Sequence, residues 1–321
     1  MPRPTAFSNN QIGIASALTA SFFFSINDMS IKFLSGDYAL HEVVLIRSLL
    51  GMVVVLAIVV PLEGGLRILK TKRLGIHLFR GVCVVFANMT FFLGLAAMNL
   101  ADAVAIFFVS PLIITALSVV MLGEKVGPRR WAAVLVGLVG VIVMMRPGTD
   151  AFRMAALLPL VAAAAYAMLQ IMTRKLGVSE KAATMTFYIQ LTFVVVSLCM
   201  GLAFGQGTFS GSSDPSLEFL FRAWVAPAVS DYYLLVLIGV GSALGGYFIS
   251  QAYRLAEAGL AAPFEYIALP LAVIWDFTVF GKTPDLVGWI GILLIMGAGL
   301  YAFWRETARA KPVSIDTPTR R

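Results

Sequence analysis

The sequence predicts an all-α integral membrane protein, with ten transmembrane helices arranged as two inverted five-helix repeats. Three observations predict it. Apolar stretches of about 20 residues, the length a helix needs to cross a bilayer, recur along the whole chain. Lysine and arginine alternate sides from one connection to the next. A set of residues in the first half returns in the second at an offset of 158.

The 321 residues are 60% hydrophobic and only 13% charged, whereas a soluble domain carries about 25% charge. A membrane barrel would alternate apolar and polar residues, and these runs are unbroken. The ten segments are 11–34, 40–62, 74–97, 101–121, 131–145, 153–175, 181–204, 231–253, 259–280 and 286–304. The first is too long for a cleaved signal, so it is expected as a retained helix after residues 1–10. Most links are short, which makes successive helices antiparallel neighbours. The exception is 205–230, where Gly205, Gly207, Gly211, Ser212, Ser213, Asp214 and Pro215 predict an exposed loop. Residues 217–224 within it predict a small interfacial piece.

Of the 24 lysines and arginines, Lys32 and Arg47 fall inside segments. Arg146, Arg153, Arg222 and Lys282 fall on one side, and all the others, Arg80 among them, on the opposite side. By the positive-inside rule both termini are cytoplasmic, and the net charge of +7 reflects topology rather than a nucleic-acid surface. The repeat pairs Leu122-Gly123-Glu124-Lys125 and Trp131 with Phe280-Gly281-Lys282-Thr283 and Trp289. The same offset lays 99–101 on 257–259 and brings Pro111 within one residue of the counterpart of Pro270. Near the start, Lys32-Phe33-Leu34 lines up with Arg174-Lys175-Leu176. Five helices per half is an odd number, so the second half enters from the opposite face, an arrangement common in secondary transporters. The expected division is 1–148, 149–305 and a cytoplasmic tail at 306–321.

Ser25-Ile26-Asn27-Asp28 with Lys32-Phe33-Leu34, then Glu42-Val43 and Arg47, resembles the opening of drug/metabolite transporter superfamily proteins. So does the run 103–111 leading into Gly123-Glu124 and Trp131, with Gly137 and Gly140 beyond. The resemblance is to the ten-helix branch with two EamA-type repeats and covers nearly the whole chain. The Asn27-Asp28 pair and Ala262-Pro263-Phe264 with Tyr266 are similar to carriers that take up riboflavin or S-adenosylmethionine. The second repeat departs from the pattern, having Gly281-Lys282 in place of Gly-Glu.

Charges inside a bilayer cost about 2.5–3.5 kcal/mol on insertion scales, so they face a cavity or a partner. Ser21, Ser25, Asp28 and Lys32 share one face of the first segment. Asp28 and Lys32 read either as a self-satisfying pair or as part of a site. Arg47 lies about two turns into the second segment. Asp28 or Glu42 is its expected partner, with a substrate anion as the equal alternative. In the ninth segment, Glu265 and Asp276 would share one face of a regular helix, about 16 Å apart. Pro263 and Pro270, with Pro111 in the fourth segment, interrupt helices at matching places, which points to a substrate site between them. The expected cavity is lined by the fourth and ninth segments, with the first, third and sixth to eighth as walls.

Asn88, Ser110, Gln170, Tyr188, Gln190 and Gln251 read either as substrate contacts or as interhelical hydrogen bonds, worth about 0.6 kcal/mol. Phe107, Phe108, Phe187, Tyr188, Phe264 and Tyr266 either stack on a planar ring or simply pack. Gly239, Gly241, Gly245 and Gly246 are expected to allow close helix packing. Cys83 and Cys199 read as small core hydrophobes. With two histidines at opposite ends of the membrane, neither metal, cofactor nor catalytic nucleophile is expected. The expectation is a secondary transporter of the inner membrane for a small polar or aromatic metabolite, with Glu265 as its titrating group. The resemblance implies uptake of a vitamin or cofactor-like compound. Export of amino acids or drugs is the alternative, and a membrane-embedded enzyme a remote one. The expected partners are that small molecule, the lipid bilayer and a second copy in a homodimer.

Overall fold

Inside a bilayer the backbone must satisfy its own hydrogen bonds, and the helix does so within one segment. The computed structural model describes residues 9–123, 127–146, 154–177 and 179–307, and among them no strand occurs. Its helices are α1 (Asn9–Leu34), α2 (Leu40–Val54), α3 (Leu74–Ala97), α4 (Leu100–Phe107), α5 (Ser110–Leu122) and α6 (Pro128–Met145). They continue as α7 (Leu157–Leu176), α8 (Ala182–Phe204), α9 (Pro215–Phe221), α10 (Tyr232–Leu255), α11 (Ala268–Phe280) and α12 (Leu286–Thr307). A π turn, Val55–Val59, and a last turn, Val60–Glu63, prolong α2. Seven stretches among the described residues are helical, long and apolar enough to cross a membrane. Leu135–Met145 and Leu286–Ala298 add shorter apolar helices. Phe86, Val195 and Val236 point outward and exposed from such stretches, and the chain is a helical integral membrane protein. Glu124, Lys125, Arg153, the first eight residues and the tail from 308 lie outside the described residues.

Two helices are interrupted. Between α4 and α5 the chain bends at Phe108 and Val109, and Pro111 sits in the first turn of α5, where its missing N–H leaves no bond unmade. Before α11, a turn Ala258–Ala261 gives way to a 3₁₀ turn, Ala262–Ile267, that includes Pro263, and Pro270 lies in the first turn of α11 itself. Both α5 and α11 are 13 residues long, and both end on a left-handed glycine, Gly123 (φ 71°) and Gly281 (φ 62°). Glycine takes that conformation without a Cβ penalty. Asn99 and Glu257, which precede the first turns, share one extended conformation. The offset of 158 carries the bounds of α5, its glycine cap and Asn99 onto their counterparts and brings Pro111 within one residue of Pro270.

The glycines of α10 bring neighbouring helices close. A Cβ on Gly239 would stand 2.5 Å from Leu50 Cβ, and one on Gly245 would stand 2.8 Å from the Phe24 ring. The loop 205–230 is fastened more firmly than an exposed loop would be. Asp214 caps α9 by accepting from the N–H groups of Ser216 and Leu217. Glu218 accepts from Gly211 and Ser212 N–H, and the Gly211 bond above all holds its carboxyl below the usual range. Ser216 donates to Leu93 O of α3 (2.7 Å). Arg222 donates to the Ser35 and Tyr38 carbonyls, and Trp224 Nε1 donates to His41 Nδ1. Tyr38 donates to Asp231 (2.6 Å) and accepts from Ala228 N–H (3.0 Å). The segment is therefore a strap across the α1–α2 connection.

Several expectations change. Cys199 is exposed on α8 rather than in the core. Arg80, assigned to a connection, lies inside α3 and is 1% exposed. Glu265 and Asp276 do not share one regular helix, because the 3₁₀ turn, at about 3.0 residues per turn, shifts the phase between them.

Candidate functional site

A cavity of about 130 Å³ lies among α1, α2, α3, α4, α7, α8, α10 and the 3₁₀ turn. Asp28, Arg47, Asn88, Gln170, Gln190 and Glu265 line it. The structure thus brings together six of the polar residues singled out by sequence. Phe24, Phe91, Phe92, Phe107, Phe108, Phe193 and Tyr166 supply aromatic walls.

Each polar group is held by a different device. Asp28 accepts from Asn27 Nδ2 at 3.2 Å. Lys32 does not pair with it: its ammonium turns to the carbonyls of Leu95 (2.9 Å) and Met98 (2.5 Å) at the end of α3 and lies over the Phe280 ring. Unmatched carbonyls at a helix C-terminus attract a cation. Arg47 is likewise outside ion-pair range of Asp28 and Glu42 among the described residues. Its Nη1 donates weakly to Asn88 Oδ1 (3.4 Å), and its guanidinium lies 4.7 Å from the Phe193 ring centroid and 5.6 Å from that of Phe92. Such stacking is worth about 2 kcal/mol when desolvated. Glu42 instead accepts from Val225 N–H (3.4 Å).

Glu265 is 5% exposed and accepts from two phenols, Tyr166 Oη at 2.6 Å and Tyr253 Oη. Neither tyrosine was singled out by sequence. Gln190 Nε2 donates to Ser242 Oγ (3.2 Å). Asp276, by contrast, leaves the site and caps α4, accepting from Leu100 N–H (3.2 Å) and Ala101 N–H (2.7 Å).

Four predicted residues lie elsewhere. Ser110 and Tyr266 are buried beside the interruptions, with no hydrogen-bond partner for either hydroxyl, and the Tyr266 ring lies 5.5 Å from that of Phe108. Tyr188 donates to Leu69 O (2.9 Å) and stacks on His77 at 4.5 Å. Gln251 donates to Tyr247 Oη (3.3 Å), which donates to Glu63 (3.0 Å). Tyr188 and Gln251 thus tie connections together at the end of the molecule holding 64–73 and 177–181. Among the described residues no group of three or more His, Cys, Asp or Glu could hold a metal ion.

Residues 11–146 match the EamA-like transporter family. Over 92% of its length the chain is 28% identical to the S-adenosylmethionine uptake transporter of Rickettsia prowazekii, covering 93% of that protein. It is 29% identical to the riboflavin transporter of Brucella anthropi, over 81% of this chain and 87% of the relative. The pseudopaline exporter of Pseudomonas aeruginosa is 24% identical over 89% of this chain and 94% of its own. In fold, the chain superposes on a protein of known crystal structure with a TM-score of 0.69 at 16% identity, covering 94% of this chain and 100% of that one. The first part of the chain is thus similar to EamA-like transporters, and most of its length is similar to bacterial membrane transporters.

Proposed function

We propose that the protein takes up a small polar or aromatic metabolite across the inner membrane by alternating access. Ten spans, five from 1–148 and five from 149–305 in opposite orientation, enclose the path, with both termini in the cytoplasm. The matched interruptions, 13-residue helices and glycine caps at an offset of 158 support this two-half arrangement. The observation that carries the reading is the cavity itself. Its walls come from both halves, and it sets a stacked guanidinium and two carboxylates among aromatic rings. Such a lining suits a planar ring bearing polar or ionised groups. The names of the relatives support a vitamin- or cofactor-like solute, riboflavin or S-adenosylmethionine. Glu265, held by two phenols, is the residue assigned to coupling.

Uptake of labelled riboflavin and labelled S-adenosylmethionine by cells expressing the protein tests the reading. One of the two should accumulate, and Glu265→Ala should abolish the accumulation while a change at exposed Lys181 should not. If neither label enters, the substrate assignment is wrong. Export is the second reading, favoured by the similarity to the pseudopaline exporter. Loading of inside-out vesicles in preference to right-side-out cells would establish it.

A further inference from the structure

Arg80 is the largest fully buried side chain among the described residues. It lies on α3, one turn from Val84, which lines the cavity. Its Nε donates to Thr173 Oγ1 of α7 at 3.0 Å, while Nη1 has no partner among the described residues. No carboxylate among the described residues comes within ion-pair distance of it. His77, about one turn earlier on the same helix, is also buried, with both ring nitrogens lacking hydrogen-bond partners. Its Nε2 is 4.0 Å from Glu180. A guanidinium keeps its proton in proteins, and a buried unpaired charge costs several kilocalories per mole. Arg47, the other buried arginine among the described residues, at least meets two aromatic faces and an amide. Arg80 has one hydroxyl.

Position adds to the chemistry. Val84 and Gln170 line the cavity, and Arg80 and Thr173 sit about one turn, or about 5 Å, beyond them on α3 and α7. The unsatisfied donors of Arg80 and His77 thus lie between the cavity floor and the end formed by 64–73 and 177–181. We propose that Arg80, with Thr173 and His77, is a second binding station that takes an oxyanion, the carboxylate or phosphate group of the transported solute, as it passes between the cavity and that end. An oxyanion can accept from the free guanidinium N–H groups in the charge-assisted geometry that arginine favours. The station rests on the alternating-access reading, and its test is separable from it.

The test is thermal melting of the full-length protein in detergent, with sodium benzoate or inorganic phosphate as probe. Chloride at matched ionic strength and benzyl alcohol are the controls. Both oxyanions should raise Tm saturably in the wild type and in Arg47→Gln. In Arg80→Gln the apparent affinity should fall about tenfold or more, as expected for losing a hydrogen bond to a charged group. Arg80→Lys, which keeps the charge without the fork, should fall between. If Arg80→Gln does not fold, Thr173→Val decides, since it frees the guanidinium from its orienting hydroxyl and should weaken binding several-fold. Wild-type affinity in Arg80→Gln or Thr173→Val overturns the station, as does the absence of an oxyanion-dependent shift in the wild type. A shift lost in Arg47→Gln but kept in Arg80→Gln assigns the anion to the cavity alone, overturning the station and sparing the cavity reading. Failure of labelled uptake with Arg80-dependent binding intact would overturn the substrate assignment instead.

Discussion

Glu265 receives hydrogen bonds from Tyr166 and Tyr253, so the two phenols set where its carboxylate points and how firmly it is held. Tyr253→Phe removes one of them, and hydrogen bonds to charged groups are worth about 1.5–3 kcal/mol. The expected outcome is uptake slowed about tenfold or more with the protein still folded, read by initial rates of labelled uptake. Arg47→Lys keeps the charge but loses the flat stacking on Phe193 and Phe92, so KM for uptake should rise about tenfold. Asp28, Arg47, Gln170, Gln190 and Glu265 are legible in the sequence because a polar group inside an apolar run stands out. Tyr166, Tyr253 and Phe193 are not, because an aromatic residue within such a run has no contrast with its neighbours. Lys32 shows the opposite failure. Its spacing of four from Asp28 permits an ion pair, but the carbonyls that capture it belong to another helix, which sequence spacing does not reveal.

The interrupted helices are where element-level reasoning both succeeds and stops. Proline marks the places where a regular helix must break, and the breaks fall beside Pro111 and Pro263. Proline does not say what replaces the helix, and the 3₁₀ turn sends Glu265 and Asp276 to different partners. Asp276 acts as a cap supplied from a distant part of the chain to the first amides of α4. Asp276→Ala should cost about 0.5–2 kcal/mol and Asp276→Asn less, measured as Tm of the detergent-solubilised protein. Overpacking a helix contact costs about 1–3 kcal/mol, so Gly239→Ala should also lower Tm. Its new methyl would press on Leu50 Cβ, which has no rotamer with which to yield. If Gly239→Ala melts like the wild type, α2 and α10 are not held at this spacing.

For the whole molecule, hydropathy located the seven described stretches that are helical, long and apolar enough to cross, because lipid imposes one simple demand over about 20 residues at a time. The charge alternation then predicts orientation, which cysteine labelling can check. In a cysteine-free background, Cys at Ser212 or Thr283 should react with an impermeant maleimide from outside, and Cys at Ser179 or Glu257 should not. Labelling of Ser179→Cys and Ser212→Cys from the same side would refute the ten-span arrangement. The strap was invisible at this scale, since its glycines and serines announce a loop but not what the loop is fastened to. Its fastening has a thermodynamic side. A state that parts the α1–α2 connection from the strap and the start of α10 must break the bonds made by Tyr38, Arg222 and Trp224. Each is worth about 1 kcal/mol net, and about 1.4 kcal/mol changes a population ratio tenfold. On the alternating-access proposal, the strap would therefore weight the resting populations of the two states. Loosening it with Tyr38→Phe would change how often the solute finds an open door from outside without altering one atom of the place where it binds.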